Sequence, residues 1–371
     1  MGNIIDYVKW RGDLSFEQDD VNDLDLFALA NICIIDFTNS ITSNEMTIEE
    51  LSKSYFARNS NKTLGLIIPD AINDLMKELA KAKRFKDILV YDFINLNCLD
   101  RQLQYASMTF KLKNNLYFIG FTGTDDSIVG WKEDLNLMYL DFVPAQEEAI
   151  KYIRNALDKF PGNFMCGGHS KGGNMAVVGS AFNNNDRIVR VVAYDSPGVS
   201  DYINNSVEYN RLLYKIYTYL PEHSIIGRLM NHKELYHVIK SSAKGGAQHD
   251  PISWEIMGKD FLYLEKLSEM SLKIDSKITE IIDDMNMDER KGFCEVIYKL
   301  LQTTKATHLK ELEGKSVNIL AGYFKLSKEE KRYIYKPVMK LIREKEFQKL
   351  LYKTLTEYRS IIKKAKPKDK K

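Results

Sequence analysis

The sequence is poor in cysteine, and its cysteines do not form a metal-binding pattern. The four cysteines among the 371 residues are Cys33, Cys98, Cys166 and Cys294. Structural metal sites usually contain cysteines a few residues apart, and no two of these are that close. We interpret them as reduced thiols of a protein core, and we expect neither a metal nor another cofactor.

An excess of one charge is also missing, since 53 Lys and Arg oppose 51 Asp and Glu and leave a net charge of +2. This balance gives no reason to expect a nucleic acid partner. The most apolar segment, 26–37, is interrupted by Asn31 and Asp36 and is too short to cross a bilayer. Residues 1–18 lack the pattern of a secretory signal, and Asp6 stands where a myristoylation signal requires Ser or Thr. We therefore expect a soluble, cytoplasmic protein.

Hydrophobic residues make up 44% of the chain, which is enough for a sizeable core. Between 87 and 260, short runs rich in β-branched and aromatic residues indicate strands. These runs are 88–94, 104–112, 116–121, 188–194, 213–220 and 235–240. A helical pattern over 146–160 lies between two of them, and such alternation is typical of an α/β fold with a mostly parallel sheet.

The region before these strands, 1–86, has a helical pattern. An amphipathic period runs over 21–37, a capping-box sequence stands at 47–50, and a further helical stretch covers 71–83. We expect this segment to pack on the core as a cap or an edge.

The C-terminal region, 261–371, has a charged amphipathic pattern without strand signals. Asn286 and Ser327 are each followed three residues later by glutamate, which predicts helix starts, and Pro337 is expected to kink or divide the last helix. The chain ends in a lysine-rich tail made of Lys363, Lys364, Lys366, Lys368, Lys370 and Lys371. We interpret the tail as a solvated end; the alternative is a transient contact with an anionic membrane or with nucleic acid.

The chain is organised around a glycine cluster that carries one serine, at 163–178. An apolar run is followed by Gly-Gly-His-Ser-Lys-Gly-Gly and then by a helical pattern of small residues. Within it, Gly168, Ser170 and Gly172 match the nucleophile elbow, in which a serine at a strained strand-to-helix turn is exposed at the edge of a parallel sheet. A Cβ at either glycine is expected to clash, because strand and helix approach closely there. Ser170 is therefore the candidate nucleophile.

A serine hydroxyl needs a general base, and the base needs an orienting acid. In α/β-hydrolases the base is a histidine that follows the serine in the sequence. The histidines after Ser170 are His223, His232, His237, His249 and His308. His249 is preferred, because it lies in a loop after the last strand-like run and before the helical region. His169 precedes the nucleophile, and its side chain is expected to point away from the site.

Two carboxylates are candidates for the acid. Asp195 follows the strand-like run after the elbow, and Glu222 follows the next run. Both lie at carboxyl ends of predicted strands, where ligands and catalytic residues collect. Asp195 is preferred, and Glu222 is the alternative.

Oxyanion donors are expected at two places. One is the backbone N–H of Lys171, directly after the nucleophile. The other lies in the loop after the strand 116–121, where Thr124 is best placed to present its backbone N–H, with its hydroxyl as an additional donor.

These motifs resemble the class 3, fungal-type lipase family of α/β-hydrolases. The resemblance is carried by Phe-Thr-Gly-Thr at 121–124, by Gly-Trp-Lys-Glu-Asp-Leu at 130–135 and by the elbow at 168–173. It covers about 87–254 and suggests a little-characterised bacterial branch. It implies triacylglycerol lipase, phospholipase or carboxylesterase activity on a small-molecule or lipid ester, with oxyanion positions at Thr124 and Lys171.

The sequence departs from that family in three respects. Ser224 occupies the usual acid position, so the acid is assigned either to Asp195, the strand position used by pancreatic-type lipases, or to Glu222. Lys171 stands where an apolar residue is commoner; its charge attracts anionic substrates if it faces the site, and otherwise it points to solvent. The helical C-terminal third has no counterpart, and a cap, an oligomer interface or a partner-binding arm are the alternatives for it.

Together these features predict a helical segment at 1–86, an α/β-hydrolase core at 87–260 and an added helical region at 261–371. The predicted function is a serine hydrolase that cleaves carboxylic esters through an acyl-enzyme on Ser170. The alternative is a catalytically weak or inactive fold that acts as a binding or regulatory module, since a fold does not fix a function.

Overall fold

The structure, a computed structural model, describes residues 2–59, 63–353 and 356. The helices of this part of the chain are α1 (Ile4–Arg11), α2 (Asp23–Ile32), α3 (Ile48–Arg58), α4 (Ala71–Leu79), α5 (Ile128–Asn136), α6 (Pro144–Lys159), α7 (Lys171–Asn183), α8 (Asp201–Asn205), α9 (Val207–Leu212), α10 (Glu269–Asp283), α11 (Met287–Gln302), α12 (Ser316–Lys325) and α13 (Lys328–Arg343). The strands are β1 (Glu45–Thr47), β2 (Leu89–Cys98), β3 (Leu103–Lys113), β4 (Leu116–Phe121), β5 (Asn163–His169), β6 (Ile188–Tyr194), β7 (Ile216–Pro221), β8 (Tyr236–Ile239), β9 (Ile256–Met257), β10 (Asp260–Phe261) and β11 (Tyr263–Leu264).

Nine of the described strands form one sheet, in the order β1-β2-β3-β4-β5-β6-β7-β8-β11. Strands β4 to β8 are parallel, whereas β1 to β4 and the pair of β8 with β11 are antiparallel. Helices connect β4 to β5, β5 to β6 and β6 to β7, as parallel neighbours require. The carboxyl ends of the parallel strands therefore lie at one edge of the sheet.

Helices cover both faces of this sheet. Helices α1 to α4 pack on one face, where Phe27 of α2 and Phe118 of β4 belong to one apolar core. Helices α6, α7 and α9 pack on the other face, where Ile119 of β4 contacts a core that includes Ala149 and Met175. Successive strand residues point to opposite faces, which is why Phe118 and Ile119 lie in different cores. This is the α/β-hydrolase fold that the sequence predicted, with an added helical C-terminal region.

Helix α2 connects the sheet to a loop that carries a candidate site residue. The Asp23 carboxylate accepts two hydrogen bonds from the Arg190 guanidinium of β6, at 2.7 and 2.6 Å. One turn further along, the Phe27 ring stacks on the buried ring of Trp254, with centroids 4.9 Å apart. Trp254 directly follows the loop that carries His249, so the packing of α2 on Trp254 helps to hold that loop in place.

The C-terminal helices contact the core at α5. Lys132 of α5 is fully buried, and its ammonium lies 2.7 Å from the Glu295 carboxylate of α11. The backbone N–H of Leu309 donates to the carbonyl of Asp126 at 2.9 Å. The C-terminal region is therefore attached to the segment that follows β4, where the oxyanion loop was predicted.

Local signals in the flanking regions are confirmed in most places. The capping boxes at 47–50, 286–289 and 327–330 are present, and each begins a helix. Of the two outcomes expected at Pro337, a kink or a division, the division does not occur, since α13 continues through this residue. The expectation that strands end before 261 is also wrong, because β11 pairs with β8 at the edge of the sheet. A strand of two residues is too short to show an alternating hydrophobic pattern in the sequence.

Two further expectations concern membranes. Among the described residues, none of the helices is long and apolar enough to cross a bilayer. The lysine-rich tail lies outside the described residues, so its interpretation as a solvated end stays a prediction, as does the alternative of a transient contact with an anionic membrane or with nucleic acid.

Candidate active site

Ser170 lies at the turn between β5 and α7. Its backbone has φ 56° and ψ −132°, a sparsely populated conformation that costs a non-glycine residue free energy and occurs mainly at functional turns. Its N–H donates to the carbonyl of Tyr194 at 2.9 Å. A Cβ on Gly168 would lie 2.3 Å from the carbonyl carbon of Gly172, and a Cβ on Gly172 would lie 2.3 Å from the carbonyl oxygen of Phe121. The predicted close approach of strand and helix is therefore present.

Asp195 and His249, which are far apart in the sequence, are hydrogen-bonded. Asp195 directly follows β6, and its Oδ2 lies 2.6 Å from Nδ1 of His249. The Asp195 side chain is 1% exposed, whereas that of His249 is 31% exposed. A carboxylate at Nδ1 favours the tautomer that carries its proton there. Nε2 is then left as an acceptor that can take a proton from a nucleophile.

The other oxygen of the Asp195 carboxylate has two donors of its own. Oδ1 accepts from the Ser224 hydroxyl at 2.5 Å and from the Gly227 N–H at 3.1 Å. Ser224 occupies the position at which the sequence resemblance placed the usual acid. The residue that replaces that acid therefore orients the carboxylate supplied by the neighbouring strand.

Glu222, the alternative acid, is placed differently. It directly follows β7, and its backbone hydrogen-bonds to Ile239 and Ser268. In the described part of the chain, no hydrogen bond joins its carboxylate to His249. Of the two candidate acids, Asp195 is the one that contacts this imidazole.

The loop of His249 is fixed by the residues on either side of it. The buried Gln248 accepts the His223 N–H at 2.7 Å through Oε1 and donates to the Ala243 carbonyl at 3.1 Å through Nε2. Its own carbonyl accepts the indole N–H of Trp254 at 2.9 Å. Nothing in the sequence marks Gln248 as functional, and for Trp254 the signal is only that a large apolar residue stands beside a loop.

The sequence predicted that His169 points away from the site, but the structure places its ring at the site. Its ring lies against the ring of His249, with centroids 4.5 Å apart. Burial lowers the pKa of His169 well below its usual value, and the charge of the His249 imidazole acts in the same direction, although a hydrogen bond with the His249 backbone opposes the shift. The His169 ring is therefore neutral at pH 7. The prediction was wrong because His169 shares a sheet face with Met165, on the side where Trp254 packs and the His249 loop crosses.

The Ser170 hydroxyl makes no hydrogen bond to any described residue, so the structure does not join it to His249. Catalytic hydrogen bonds are often long in ligand-free structures and shorten in the complex with substrate. The predicted oxyanion loop does lie beside the serine, since a Cβ on Gly123 would be 3.4 Å from the Cβ of Ser170.

Thr124 has its hydroxyl engaged elsewhere. Oγ1 donates to Oδ2 of Asp134 at 2.7 Å, and burial raises the pKa of that carboxyl above its usual value. The single hydroxyl proton is therefore not free for an oxyanion, which corrects the expectation of an additional donor. The backbone N–H of Thr124 is the remaining candidate.

Lys171 neither faces a substrate nor points to solvent, so both interpretations of its charge were wrong. Its side chain is 1% exposed, and its ammonium lies 2.9 Å from the carboxylate of Glu133, which is fully buried. The reason is the direction of the first turn of α7, which places this side chain against Gln104 of β3 and Glu133 of α5. Glu133 carries no separate signal in the sequence beyond its place in the 130–135 motif.

Asp250, beside His249, gives a testable pH dependence. Burial raises the pKa of this carboxyl from 3.8 to about 6, although the Ile252 N–H and His249 oppose the shift. Since the folded state binds the proton more tightly, the contribution to stability is complete below about pH 4 and is lost as the pH rises through about 6. Asp250→Asn, which keeps the acceptor for Ile252, should unfold with a free energy up to about 3 kcal/mol larger than the wild-type value at pH 7.

Urea denaturation at about pH 7 and about pH 4 measures this difference. At the lower pH the difference should fall below about 1 kcal/mol, because the wild-type carboxyl is then protonated in the folded state and about half protonated in the unfolded state. A difference of the same size at both pH values would contradict the assignment to Asp250.

A sequence model of the family described as Mbeg1-like matches residues 79–299, which is more than half of the chain. The chain belongs to the Mbeg1-like family. The part that matches the Mbeg1-like pattern contains the elbow, the predicted oxyanion loop, Asp195 and His249, and it continues through α10 into α11. The contact between α11 and α5 therefore lies within the region that defines the family.

Several solved structures are similar to this Mbeg1-like chain. The Lip2 lipase from Yarrowia lipolytica is 13% identical over 64% of this chain and 83% of its own, with a TM-score of 0.37. A mutant form of MDLA from Penicillium cyclopium is 13% identical over 66% and 94%, with a TM-score of 0.38. A lipase from Rhizopus microsporus var. chinensis is 11% identical over 68% and 83%, with a TM-score of 0.36. A comparison with curated proteins finds none that matches significantly.

Proposed function

We propose that this chain is a serine hydrolase that cleaves carboxylic esters. The observation that carries the proposal is the hydrogen bond between the buried Asp195 carboxylate and His249, at the sheet edge where the elbow presents Ser170. An imidazole held in one tautomer beside a strained serine is the arrangement that activates a hydroxyl for acyl transfer. The proposed roles are Ser170 as nucleophile, His249 as base and then acid, and Asp195 as orienting carboxylate.

In the proposed reaction, the Ser170 oxygen adds to the ester carbonyl carbon while Nε2 of His249 takes the hydroxyl proton. The carbonyl oxygen becomes an oxyanion, which accepts hydrogen bonds from the backbone N–H groups of Thr124 and Lys171. The bond to the alcohol oxygen then breaks, and the alcohol leaves with the proton from His249. Water attacks the acyl-serine by the same route, and release of the carboxylic acid restores Ser170.

A lipid-like acyl chain is favoured over a small acyl group by apolar side chains near the oxyanion loop. The backbone N–H of Leu66 donates to the Asp126 carboxylate at 3.1 Å, which places the loop 63–70 beside the segment that follows Thr124. Leu66 and Ile67 are 59% and 37% exposed, and Trp131 of α5 is 39% exposed. We propose that these side chains contribute to one acyl-binding surface, since contiguous exposed apolar patches commonly mark binding sites.

Hydrolysis of p-nitrophenyl esters of graded chain length tests this proposal. The whole chain should turn over these esters, with kcat/KM higher for medium or long acyl chains than for acetate. Turnover of the acetate ester alone would contradict the proposed preference for lipid-like acyl chains, but it would still support an ester hydrolase. Absence of turnover for every ester, in a chain shown to be folded, would contradict the proposed function.

A further inference from the structure

The buried ammonium of Lys171 is a charged group that the proposed reaction does not use. It donates to the Gln104 carbonyl at 2.9 Å, to Oε1 of Gln104 at 2.6 Å and to Oε2 of Glu133 at 2.9 Å. These three hydrogen bonds use all the donors of an ammonium group. The side chain therefore has no donor left for a substrate, although its own backbone lies at the elbow.

Glu133, the partner of Lys171, joins three elements at one point. Besides the ammonium, Oε2 accepts the Gln104 N–H of β3 at 3.0 Å, and Oε1 accepts the Ala145 N–H of α6 at 2.8 Å. The loss of hydration makes a buried ion pair a poor source of stability. A role in placing its neighbours explains the pair better than a role in stability.

Gln104 transmits the position of Lys171 to the oxyanion loop. Because Oε1 accepts from a cation, the amide is fixed with Nε2 on its other side. Nε2 donates there to the carbonyl of Gly123 at 3.3 Å, and the Thr122 hydroxyl donates to the same oxygen at 3.0 Å. Gly123 in turn lies against Ser170.

The Gly123 carbonyl and the Thr124 N–H belong to the same peptide group. A peptide is planar and trans, so its C=O and its N–H point in opposite directions. Donors that hold the Gly123 carbonyl on the Gln104 side therefore direct the Thr124 N–H to the opposite side.

We infer that Lys171 is a positioning residue for the oxyanion site, an inference that rests on the proposed function. Its backbone N–H supplies one donor, and its side chain, through Gln104 and Gly123, orients the peptide that supplies the other. The two donors are thereby coupled through one residue. The fixed geometry of such donors is what makes them effective in the transition state.

The test uses the double variant Lys171→Met/Glu133→Gln, which removes both charges and leaves neither unpaired. Its kcat for a p-nitrophenyl ester should fall about 100-fold, as for loss of one oxyanion donor, with KM changed by less than about twofold. Gln104→Glu keeps the acceptor for Lys171 but loses the donor to Gly123, so its kcat should fall similarly. The matched control, Lys132→Met/Glu295→Gln, removes the ion pair between the buried Lys132 of α5 and the partly exposed Glu295 of α11, and it should keep the wild-type kcat.

The crystal structure of the double variant supplies a readout that does not depend on turnover. The inference predicts that the Gly123–Thr124 peptide is rotated and that Gln104 no longer contacts the Gly123 carbonyl. An unchanged peptide would overturn the inference, as would a wild-type kcat in both the double variant and Gln104→Glu. A wild-type chain without ester turnover would instead contradict the proposed function. In that case the orientation of the Gly123–Thr124 peptide in the double variant would still test whether Lys171 positions it.

Discussion

Replacing Ser170 with alanine is expected to lower kcat for ester hydrolysis about a millionfold, because removal of the nucleophile leaves only binding and the oxyanion donors. Alanine differs from serine by one oxygen, and the Ser170 hydroxyl makes no hydrogen bond to a described residue, so the strained turn should keep its shape. The measurement is the hydrolysis rate of a chromogenic ester at saturating concentration, with wild-type and variant chains purified in the same way.

A matched control separates loss of the nucleophile from a general effect of substitution. Ser43 is exposed and precedes β1, and Ser43→Ala should keep the wild-type rate. Both variants should have the circular dichroism spectrum and the thermal midpoint of the wild-type chain. Retention of more than a small fraction of the turnover by Ser170→Ala would show that another residue carries the reaction.

Replacing Asp195 with asparagine should lower kcat about ten-thousandfold with little change in KM, because an amide at Nδ1 favours the tautomer that cannot take the serine proton. The substitution keeps the size of the side chain and an oxygen for the donors Ser224 and Gly227. The effect therefore reports on His249 and not on packing. The assay is the same ester hydrolysis, followed over a range of substrate concentrations.

Glu222→Gln is the control for Asp195→Asn, since it makes the same chemical change at the alternative acid. It should change kcat by less than about twofold, because Glu222 makes no hydrogen bond to His249 in the described part of the chain. Equal losses in the two variants, or a larger loss in Glu222→Gln, would reject Asp195 as the orienting acid.

The elbow could be predicted from the sequence because its glycines are imposed by backbone sterics. The distances at Gly168 and Gly172 leave no room for a Cβ, so only one residue type fits at each position. The strands at 116–121 and 188–194 have the bounds that their β-branched and aromatic residues indicated. In both cases the signal is local and does not depend on distant parts of the chain.

The contacts that define the site could not be predicted in the same way. Asp195 and Glu222 both follow parallel strands, and the choice between them depends on where the loop of His249 crosses the sheet edge. The direction of the Lys171 side chain depends on Gln104 and Glu133, which come from other elements. Such contacts are determined by tertiary packing, and they cannot be inferred from the amino-acid composition or from the hydrophobic periodicity of the sequence.

Reaction with a fluorophosphonate probe, followed by intact-protein mass spectrometry and peptide mapping, tests the central claim most directly. The claim is that Ser170 is an activated nucleophile, and the predicted result is one adduct per chain, on the peptide that carries Ser170. The adduct should be absent from Ser170→Ala and should form much more slowly in His249→Ala. A folded wild-type chain that stays unmodified, as a binding module would, or an adduct on a different residue would contradict the claim.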